Sequence, residues 1–481
     1  MSDDLSPETL FCSLSRERLC FWLDSGPTRP GGQPDARARF SFLGCDPYRT
    51  VSIGPDEDGA SGFERLAQVL TQELGHSEPC DAGDRLEFSP AGGAPPFLGG
   101  AVGYLAYDLG RALVGLRPDA RPGLRVPLAV FGFYDLIAVF DHRTYDAFWV
   151  STGRPAEGSA ARQRAAERLA QAARWAERAR TGRRRELPDR DMAGAPLPQK
   201  RFTSYRGLRP TWARSDYLRA VRRAKEYIAA GDIYQVNLAQ QFWMPVPDSP
   251  AALFVRLRRA NPAPFAAYFG GEGWAIASVS PERFLRMVPG RIETEPIKGT
   301  RPRGTDPAQD AAEATALQES GKDRAEHVMI VDLERNDLGR FCEFGSVTVD
   351  DFCRLEAHPS VWHLVSTVSG RPRPGITPAE CVRHAFPGGS ITGAPKIRAM
   401  QIIDELEPVA RGVYTGSIGY IGAGARMDLN IAIRTVVWSE GAAYLHVGGG
   451  IVADSDPEQE YLETLHKGAA IASGLVGGAR R

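Results

Sequence analysis

The composition of the chain changes abruptly about a third of the way along, and this break constrains the architecture more than any other sequence feature. Ser159 to Arg180 is rich in Ala, Arg and Glu with few large apolar residues, which predicts a helix that mostly faces solvent. The Pro-, Gly- and Arg-rich stretch from Thr181 to Pro210 has the composition of a linker. The sequence therefore predicts an N-terminal region 1–150, an exposed helix and linker 151–214, and a C-terminal region 215–474.

Bulk composition indicates a soluble globular protein. The chain has 481 residues, 43% hydrophobic and 24% charged, with a net charge of -1, so no bulk field attracts nucleic acid or a membrane surface. No apolar run is long enough to span a bilayer, and the acidic N-terminus lacks the features of a secretory signal. The 7 cysteines are scattered without a C-x-x-C pair, which argues against a disulfide framework or a zinc site. We therefore expect a cytoplasmic protein that binds neither nucleic acid nor membrane.

Strand-like and helical patterns occur on both sides of the break. Arg39–Ile53 and Leu124–Val150 place β-branched and aromatic residues between turn residues, which predicts strands. Pro96–Arg111 is glycine-rich and predicts a bend. Ser215 stands where it would cap a helix that ends at Gly231. The two kinds of segment then alternate to the C-terminus, so helices and strands are mixed throughout.

Two predicted helices, Ser320–Arg340 and Asp456–Gly474, each carry two acidic residues three positions apart. The four carboxylates are Asp323, Glu326, Glu460 and Glu463. Residues at i and i+3 share a helix face, where like charges destabilise a helix by about 0.2–0.5 kcal/mol. A solvated surface face is the simpler interpretation of either pair alone. Together the two pairs would suit a hard divalent cation such as Mg²⁺, which prefers oxygen ligands.

Other polar residues stand in apolar or glycine-rich surroundings. Lys298 lies between Pro296-Ile297 and Gly299-Thr300, a stiff apolar backbone followed by a permissive joint that could hold an amine in a pocket. His363, between Trp362 and Leu364, is typical of a satisfied core histidine when it is taken alone. Arg434 lies in an apolar strand, where a buried guanidinium needs an anionic partner. With Lys467 it would form a binding surface for a small dicarboxylate.

Six motifs occur in one order along the C-terminal region. They are GDIYQVNLAQQF, SPERFL, PIKGTRPRG, KDRAEHVMIVDLERNDLGR, PGGSITGAPKIRAMQIIDELEP and GGGIVADSDPEQEYLET. Together they resemble the chorismate-utilising enzymes, a family that includes aminodeoxychorismate, anthranilate, isochorismate and salicylate synthases. The resemblance covers most of residues 215–474 and is weaker in the N-terminal region, where it rests on WLDSG, ARFSFLG and PFLGGAVGY. It implies an α/β fold of large antiparallel sheets packed face to face with outer helices, and a chorismate-binding catalytic region at 215–474.

Two positions distinguish the reactions that members of that family catalyse. Isochorismate and salicylate synthases carry a lysine base where this chain has Gln235, which disfavours water addition. Anthranilate synthases typically carry alanine at Lys298, whereas the PIKGT form is that of aminodeoxychorismate synthases. The resemblance therefore implies amination of chorismate at C4, on the route to 4-aminobenzoate and folate, with Lys298 as a covalent nucleophile. Ammonia would come from a separate glutamine amidotransferase subunit, because no cysteine here lies in the G-x-C-x-G setting of a glutaminase nucleophile.

The resemblance also implies roles for other residues. Glu282 matches the acid/base that assists the departing hydroxyl. The four carboxylates match the family's Mg²⁺ site, although some relatives carry glutamate at Asp323. Thr300 and His363 match active-site positions without a fixed role. The positions that match the substrate carboxylate site are Tyr414, Arg434, Gly450 and Lys467.

A second site is implied by the N-terminal match. In this family a serine in the WLDSG-like stretch and an NPxP segment line a tryptophan pocket, which gives feedback inhibition in anthranilate synthases and holds structural tryptophan in some aminodeoxychorismate synthases. The matching residues are Ser25, Arg39, Phe40, Pro264, Phe265 and Ala266. Ordinary sheet packing would explain Arg39, Phe40 and Ala266 equally well.

Two other functions stay open at this point. One is the first component of an anthranilate synthase, which aminates at C2 and eliminates pyruvate. The other is a non-catalytic regulator that binds chorismate or tryptophan. The intact lysine, glutamate and carboxylate pairs make the regulator the weaker alternative.

Overall fold

Apolar strands dominate the chain and assemble into two large antiparallel sheets. The computed structural model describes residues 5–25, 39–75, 94–181, 205, 207–246, 248–304, 306–358 and 361–476. The strands are β1 (Phe21–Asp24), β2 (Phe40–Gly44), β3 (Arg49–Ile53), β4 (Gly100–Leu105), β5 (Ala129–Tyr134), β6 (Leu136–Asp141), β7 (Ala147–Ser151), β8 (Arg209–Pro210), β9 (Gln235–Pro245), β10 (Phe265–Gly271), β11 (Trp274–Ser280), β12 (Arg283–Val288), β13 (Arg291–Glu295), β14 (Ile297–Pro302), β15 (Thr348–Ala357), β16 (Val361–Gly370), β17 (Gly393–Ala394), β18 (Ser417–Gly422), β19 (Arg426–Asn430), β20 (Thr435–Ser439) and β21 (Ala442–Ile451).

The helices cover the outer faces of these sheets. They are α1 (Pro7–Leu14), α2 (Gly59–Leu74), α3 (Tyr107–Leu113), α4 (Gly158–Thr181), α5 (Arg214–Ala229), α6 (Pro250–Ala260), α7 (Pro307–Glu319), α8 (Gly321–Gly339), α9 (Pro378–Ala385), α10 (Lys396–Leu406) and α11 (Pro457–Val476). A short 3₁₀ turn, Gly389–Ile391, precedes β17. Within the described residues, no helix combines the length and the apolar composition that crossing a membrane would require.

Each sheet takes strands from both sides of the composition break. The first runs in the order β17-β9-β21-β20-β11-β10-β1-β2-β6-β7, with β8 also paired to β9. The second runs β14-β16-β13-β12-β19-β18-β4-β5-β3, with β15 also paired to β16. The antiparallel pairing of β1 with β10 and of β4 with β18 joins the N-terminal strands directly to the C-terminal ones.

Three hydrophobic layers follow from this arrangement. Between the sheets, aromatic and aliphatic side chains of both interdigitate, among them Phe42 and Phe269 of the first sheet and Tyr104 and Ile418 of the second. A second layer lies between the first sheet and helices that include α1, α5, α6 and α11. A third lies between the second sheet and helices that include α2, α8 and α9. The expected fold of antiparallel sheets packed face to face with outer helices is confirmed.

One local prediction was confirmed only in part and another was wrong. Pro96–Arg111 bends only at its start, from Pro96 to Gly99, and then forms strand β4 and the start of α3. Gly103 explains the difference, since a Cβ there would stand 1.9 Å from the Val130 carbonyl oxygen, so the glycine permits close backbone approach within a strand. Ser215 does not cap α5, which begins at Arg214, two residues earlier than a Ser215 cap would place it, and has Ala213 at its N-cap without a side-chain hydrogen bond. The predicted linker lies largely outside the described residues.

Candidate active site

Lys298 lies inside strand β14, which pairs with β16. The register of this pair shifts between Lys298 and Thr300, at Gly299, whose φ is +72°. A Cβ on Gly299 would also stand 2.9 Å from Leu317 Cδ1, so both backbone angle and space require glycine. The Lys298 side chain is partly buried, and its Nζ donates to the Ser390 carbonyl oxygen at 3.4 Å. The irregular strand therefore holds the amine against the 3₁₀ turn.

Glu282 is buried between β11 and β12 beside the same turn. The Ser390 hydroxyl donates to Glu282 Oε1 at 2.7 Å, and the Ser280 hydroxyl accepts the Glu282 backbone N–H at 3.2 Å. Burial raises the pKa of Glu282, while the Ser390 hydrogen bond and the charges of Lys298 and Arg434 oppose that rise. The raised pKa favours a carboxyl that keeps a proton to donate.

The charge environment of Lys298 favours a neutral amine. Burial lowers the pKa of Lys298, and the nearby Lys467 lowers it further. Glu282 and the acidic side chains of α8 and α11 act in the opposite direction. A lysine must lose its proton before it attacks carbon, so the lowered pKa suits a nucleophile.

Arg434 stands next to this pair with strained backbone. Its φ is +50°, a left-handed conformation that costs energy in a residue with a Cβ. Burial lowers the pKa of Arg434, and Glu282 is the charge that opposes the change. In the described parts of the chain no carboxylate forms an ion pair with its guanidinium. A half-buried cation without a salt bridge suits an anionic ligand.

Thr300 and His363 face each other across β14 and β16. Thr300 Oγ1 and His363 Nδ1 share a hydrogen bond of 3.0 Å. Burial and the neighbouring Arg434 and His358 lower the pKa of His363 to about 3, so its ring is neutral near pH 7. Among the described residues its Nε2 has no hydrogen-bond partner although it is buried. The ring therefore keeps one nitrogen for a ligand.

The glycines of β21 bring further polar groups together. Gly450 pairs with Asn237 of β9, and a Cβ on Gly450 would stand 2.7 Å from the Gln235 Nε2. Both amide atoms of Gln235 are buried without a partner in the described structure. Tyr414 is buried and stacks on His446, with ring centroids 5.1 Å apart. A Cβ on Gly448 would stand 2.9 Å from the Tyr414 hydroxyl oxygen. The Gly448 carbonyl oxygen accepts a hydrogen bond from Lys467 at 3.3 Å.

The four carboxylates come from the two helices as predicted, α8 and α11, but cations pair with three of them. Asp323 forms an ion pair with Arg301 at 3.0 Å, Glu463 forms one with Lys467 at 2.6 Å, and Glu326 lies 3.9 Å from Lys322. Burial raises the pKa values of Glu326 and Glu460, and the charge of Glu463 raises both further. Glu460 also accepts from the Ser455 hydroxyl at 2.5 Å. The helices thus bring acidic groups within electrostatic reach of one another.

The carboxylates of α11 meet over a glycine. A Cβ on Gly449 would stand 3.2 Å from Glu460 Oε2 and 3.9 Å from Glu463 Oε1. Because glycine has no side chain, a small space remains beside the two carboxylates. Within the described residues, no three acidic, imidazole or thiol groups are close enough together to form a ready-made metal site. The donor set nevertheless fits Mg²⁺. Glu326 and Glu460 have raised pKa values, and a nearby cation would stabilise their ionised forms. Mg²⁺ commonly binds through one or two carboxylates and water.

A separate cavity of about 580 Å³ lies between the two sheets and is lined by residues of β1, β2, β10 and β12. It gathers all six residues of the second predicted site, namely Ser25, Arg39, Phe40, Pro264, Phe265 and Ala266. Among the described residues the Ser25 hydroxyl is buried without a partner. Arg39 is bound to Asp141 at 2.7 Å and lies over the Phe40 ring. What the cavity binds stays a prediction.

Three groups around these sites were not predicted from the sequence. Ser390 contacts both Lys298 and Glu282, but its motif PGGSITGAPK predicted no role for it. Arg283 lines the cavity. Its guanidinium carbon lies 4.8 Å from the centre of the Phe265 ring, and the guanidinium pairs with a cluster of acidic residues. Those acidic residues are Glu293, Glu295 and Asp428. A buried cluster of Glu334, Asp337 and Lys396 lies behind Ser390, with Lys396 and Asp337 2.6 Å apart. For Arg283 and its acidic partners, the one available sequence signal was the alternation of charged residues in RIETE, residues 291–295.

Comparison with known proteins defines the class to which this fold and site belong. A family model described as chorismate binding enzyme matches residues 21–473, and the chain belongs to that family. The chain is 44% identical over 372 residues to aminodeoxychorismate synthase component 1 of Klebsiella aerogenes, covering 77% of this chain and 76% of the relative. It is 42% identical over 478 residues to anthranilate synthase component 1 of Thermus thermophilus, covering 98% and 95%.

A solved structure supports the same assignment. The crystal structure of anthranilate synthase component I from Streptococcus pneumoniae TIGR4 matches with a TM-score of 0.74 and 30% identity, covering 97% of each chain. Relatives of both names are thus similar to this chain at comparable identity. These similarities therefore support both amination at C2 and amination at C4.

Proposed function

We propose that this protein aminates chorismate at C4 to give 4-amino-4-deoxychorismate, with ammonia supplied by a glutaminase partner. The observation that carries the proposal is the pairing of Lys298 and Glu282 on one residue, Ser390. The pKa of the amine is lowered and that of the carboxyl is raised, which are the directions that a nucleophile and a general acid need.

The reaction divides into two steps on these groups. In the first, the Lys298 lone pair forms a bond to C2, both ring double bonds shift (C1=C2 to C1=C6 and C5=C6 to C4=C5), and the C4 hydroxyl leaves as water with a proton from Glu282. The attacking amine loses one proton in the process. In the second, ammonia forms a bond to C4, both double bonds shift back, and the C2–N bond breaks as Lys298 regains a proton. Two such steps retain configuration at C4, which a single displacement would not.

The remaining polar groups bind and orient the substrate. Arg434 and Lys467 provide cations for the two carboxylates of chorismate, and Tyr414 and the Gly450 backbone provide hydrogen bonds. When bound by Glu326, Glu460 and Glu463, Mg²⁺ would supply positive charge for the ring carboxylate. Asp323 is held by Arg301 and would contribute less directly. Thr300 and the neutral His363 line the same site.

A partner subunit would supply ammonia. The relatives carry the name component 1, which supports an assembly of at least two components. No cysteine of this chain has the sequence setting of a glutaminase nucleophile. The experiment that tests the function is mass analysis of the product formed from chorismate, Mg²⁺ and ammonium. A product that keeps its enolpyruvyl group supports C4 amination without elimination.

The second candidate is amination at C2 followed by loss of pyruvate. The similarity to anthranilate synthase component 1 of Thermus thermophilus favours it. The lysine in PIKGT argues against it, because direct attack of ammonia on C2 needs no amine at this position. Anthranilate and pyruvate as products would establish this alternative. Chorismate that is neither aminated nor consumed, with ammonium and Mg²⁺ present, would indicate a non-catalytic regulator.

We propose that the second cavity binds tryptophan. Its aromatic lining, Phe40 and Phe265, suits an indole ring, and the buried Ser25 hydroxyl suits a polar group of the ligand. Its charged wall, with Arg283 and Glu295, suits an amino acid zwitterion.

A further inference from the structure

We propose that Ser390 is a positioning residue that sets the nucleophile and the general acid relative to each other, an inference that rests on the function proposed above. Ser390 is 5% exposed and lies at the centre of the 3₁₀ turn Gly389–Ile391. Its side chain and its backbone face the two reacting groups separately. The hydroxyl donates to Glu282 and the carbonyl accepts from Lys298.

The hydroxyl decides which oxygen of Glu282 acts. Because it donates to Oε1 at 2.7 Å, Oε2 is left to carry the proton that the departing hydroxyl needs. The same bond stabilises the carboxylate that remains after the proton is given away. Without the hydroxyl, the carboxyl could rotate and hold its proton more tightly.

The carbonyl orients the amine of Lys298. A neutral amine has two N–H bonds and one lone pair. One N–H is donated to the Ser390 oxygen at 3.4 Å, so the lone pair points away from the turn. One residue thus fixes the direction of proton donation and the direction of attack.

The turn is built to keep Ser390 in place. A Cβ on Gly389 would stand 2.5 Å from Leu333 Cδ2 and 3.2 Å from Glu334 Oε1, so α8 packs directly against the turn backbone. Beyond the turn, Thr392 Oγ1 donates to the Gly388 carbonyl oxygen at 3.0 Å, and the Thr392 carbonyl oxygen accepts from a β9 backbone N–H at 2.8 Å. A group fixed from both sides supplies preorganisation rather than flexible contact.

The test compares Ser390→Ala with Ser390→Thr, which keeps a hydroxyl, and with Ser417→Ala as a matched control. Ser417 is fully buried, and within the described structure its hydroxyl has no partner. With ammonium as donor, we expect Ser390→Ala to lower kcat about tenfold or more, as loss of aligned proton transfer does. The KM for chorismate should change less than about threefold, since Ser390 does not hold the substrate. Ser390→Thr should recover most of kcat, and Ser417→Ala should match wild type.

The pH profile separates positioning from a structural role. Glu282 acts in its protonated form, so the rate falls as pH rises through its pKa. Removing the Ser390 hydrogen bond removes an interaction that lowers this pKa, so the fall should move to higher pH in Ser390→Ala. A merely structural residue would lower the melting temperature and the active fraction and leave the profile in place.

An unchanged profile and an unchanged kcat in folded Ser390→Ala would overturn the proposal. Should that variant not fold, Ser390→Cys, a weaker donor of similar size, must show a smaller shift in the same direction. A Ser390→Cys profile that coincides with wild type would also overturn it. Failure of the proposed function is separate, because it would show in the wild-type products before any variant is compared.

Discussion

The carboxylate of Glu463 and the ammonium of Lys467 form a 2.6 Å ion pair one turn apart on α11. Their proposed ligands differ, since Glu463 belongs to the Mg²⁺ site and Lys467 to the substrate carboxylate site. In this structure the charge of Lys467 neutralises Glu463. We predict that a divalent cation bound by Glu463 releases Lys467 to a substrate carboxylate. Metal and substrate should then bind cooperatively.

We predict that chorismate raises the affinity for Mg²⁺ and that Mg²⁺ raises the affinity for chorismate by the same factor, because coupling free energies are reciprocal. Glu463→Gln and Glu326→Gln should abolish turnover and leave the fold intact. Asp332→Asn, an exposed carboxylate on the same α8, is the control and should behave as wild type. Titration calorimetry with each ligand, alone and in the presence of the other, measures the coupling. Full activity in chelator, with Mg²⁺ confirmed absent, would contradict the metal site.

Glu334 should make stability depend on pH. Burial and the neighbouring Asp337 raise the pKa of Glu334 from 4.5 to about 8. Between these pH values the unfolded chain releases the proton that the folded chain keeps, so folding loses stability as pH rises. Glu334→Gln has no proton to release. Its free energy of unfolding relative to wild type should therefore rise by about 1–3 kcal/mol from pH 4.5 to pH 8. The rise is smaller than an isolated group would give, because Asp337 shares the titration.

Urea unfolding at several pH values measures this difference. Glu319→Gln, at an exposed position on α7, is the control and should give a curve parallel to that of wild type. A parallel curve for Glu334→Gln as well would show that the buried carboxyl does not titrate differently on folding.

The parts of this molecule that could be predicted from the sequence are the local ones. The α8 helix was predictable because Ser320 caps it and its acidic residues recur at helical spacing. The sheet order was not, since pairs such as Phe21 with Phe269 join distant segments, and only the family resemblance supplied the fold. Ser390 was missed for the same reason, because its contact with Glu282 spans 108 positions.

The purified chain should use ammonium but not glutamine. The reason is the absence of a suitable cysteine setting in the sequence, which leaves amide hydrolysis to a partner. Chorismate consumption is measured with each nitrogen donor at equal concentration, with and without an added glutaminase subunit. Glutamine-dependent turnover by the chain alone would contradict the two-component assignment.

Tryptophan should bind the second cavity and raise the melting temperature. Ser25→Ala should weaken binding about tenfold, the effect of one lost hydrogen bond of about 1–1.5 kcal/mol. Titration calorimetry measures the affinity, and phenylalanine, which lacks the indole N–H, is the control ligand. No heat of binding and no change in melting temperature with tryptophan would leave the cavity to another ligand.

Lys298 should form a covalent adduct when chorismate and Mg²⁺ are supplied without ammonia. The mass of the adduct should equal enzyme plus chorismate minus one water, and the modified peptide should contain Lys298. Lys298→Ala should lose the adduct and most of the aminating activity. Any residual product should shift towards the anthranilate type, because ammonia would then attack C2 directly. Intact-protein and peptide mass spectrometry measure the adduct, and chromatography of the products measures the shift.

The simpler role for Lys298 is to neutralise a substrate carboxylate, and Lys298→Arg separates the two. Arginine keeps a positive charge but does not deprotonate near neutral pH, so it cannot attack C2. A covalent mechanism therefore predicts that Lys298→Arg is as inactive as Lys298→Ala, and a purely electrostatic role predicts substantial activity. The lowered pKa of Lys298 favours the covalent mechanism, since a residue kept for its charge would gain from staying protonated. An active arginine variant, with no adduct in wild type, would refute the lysine intermediate and leave chorismate as the proposed substrate.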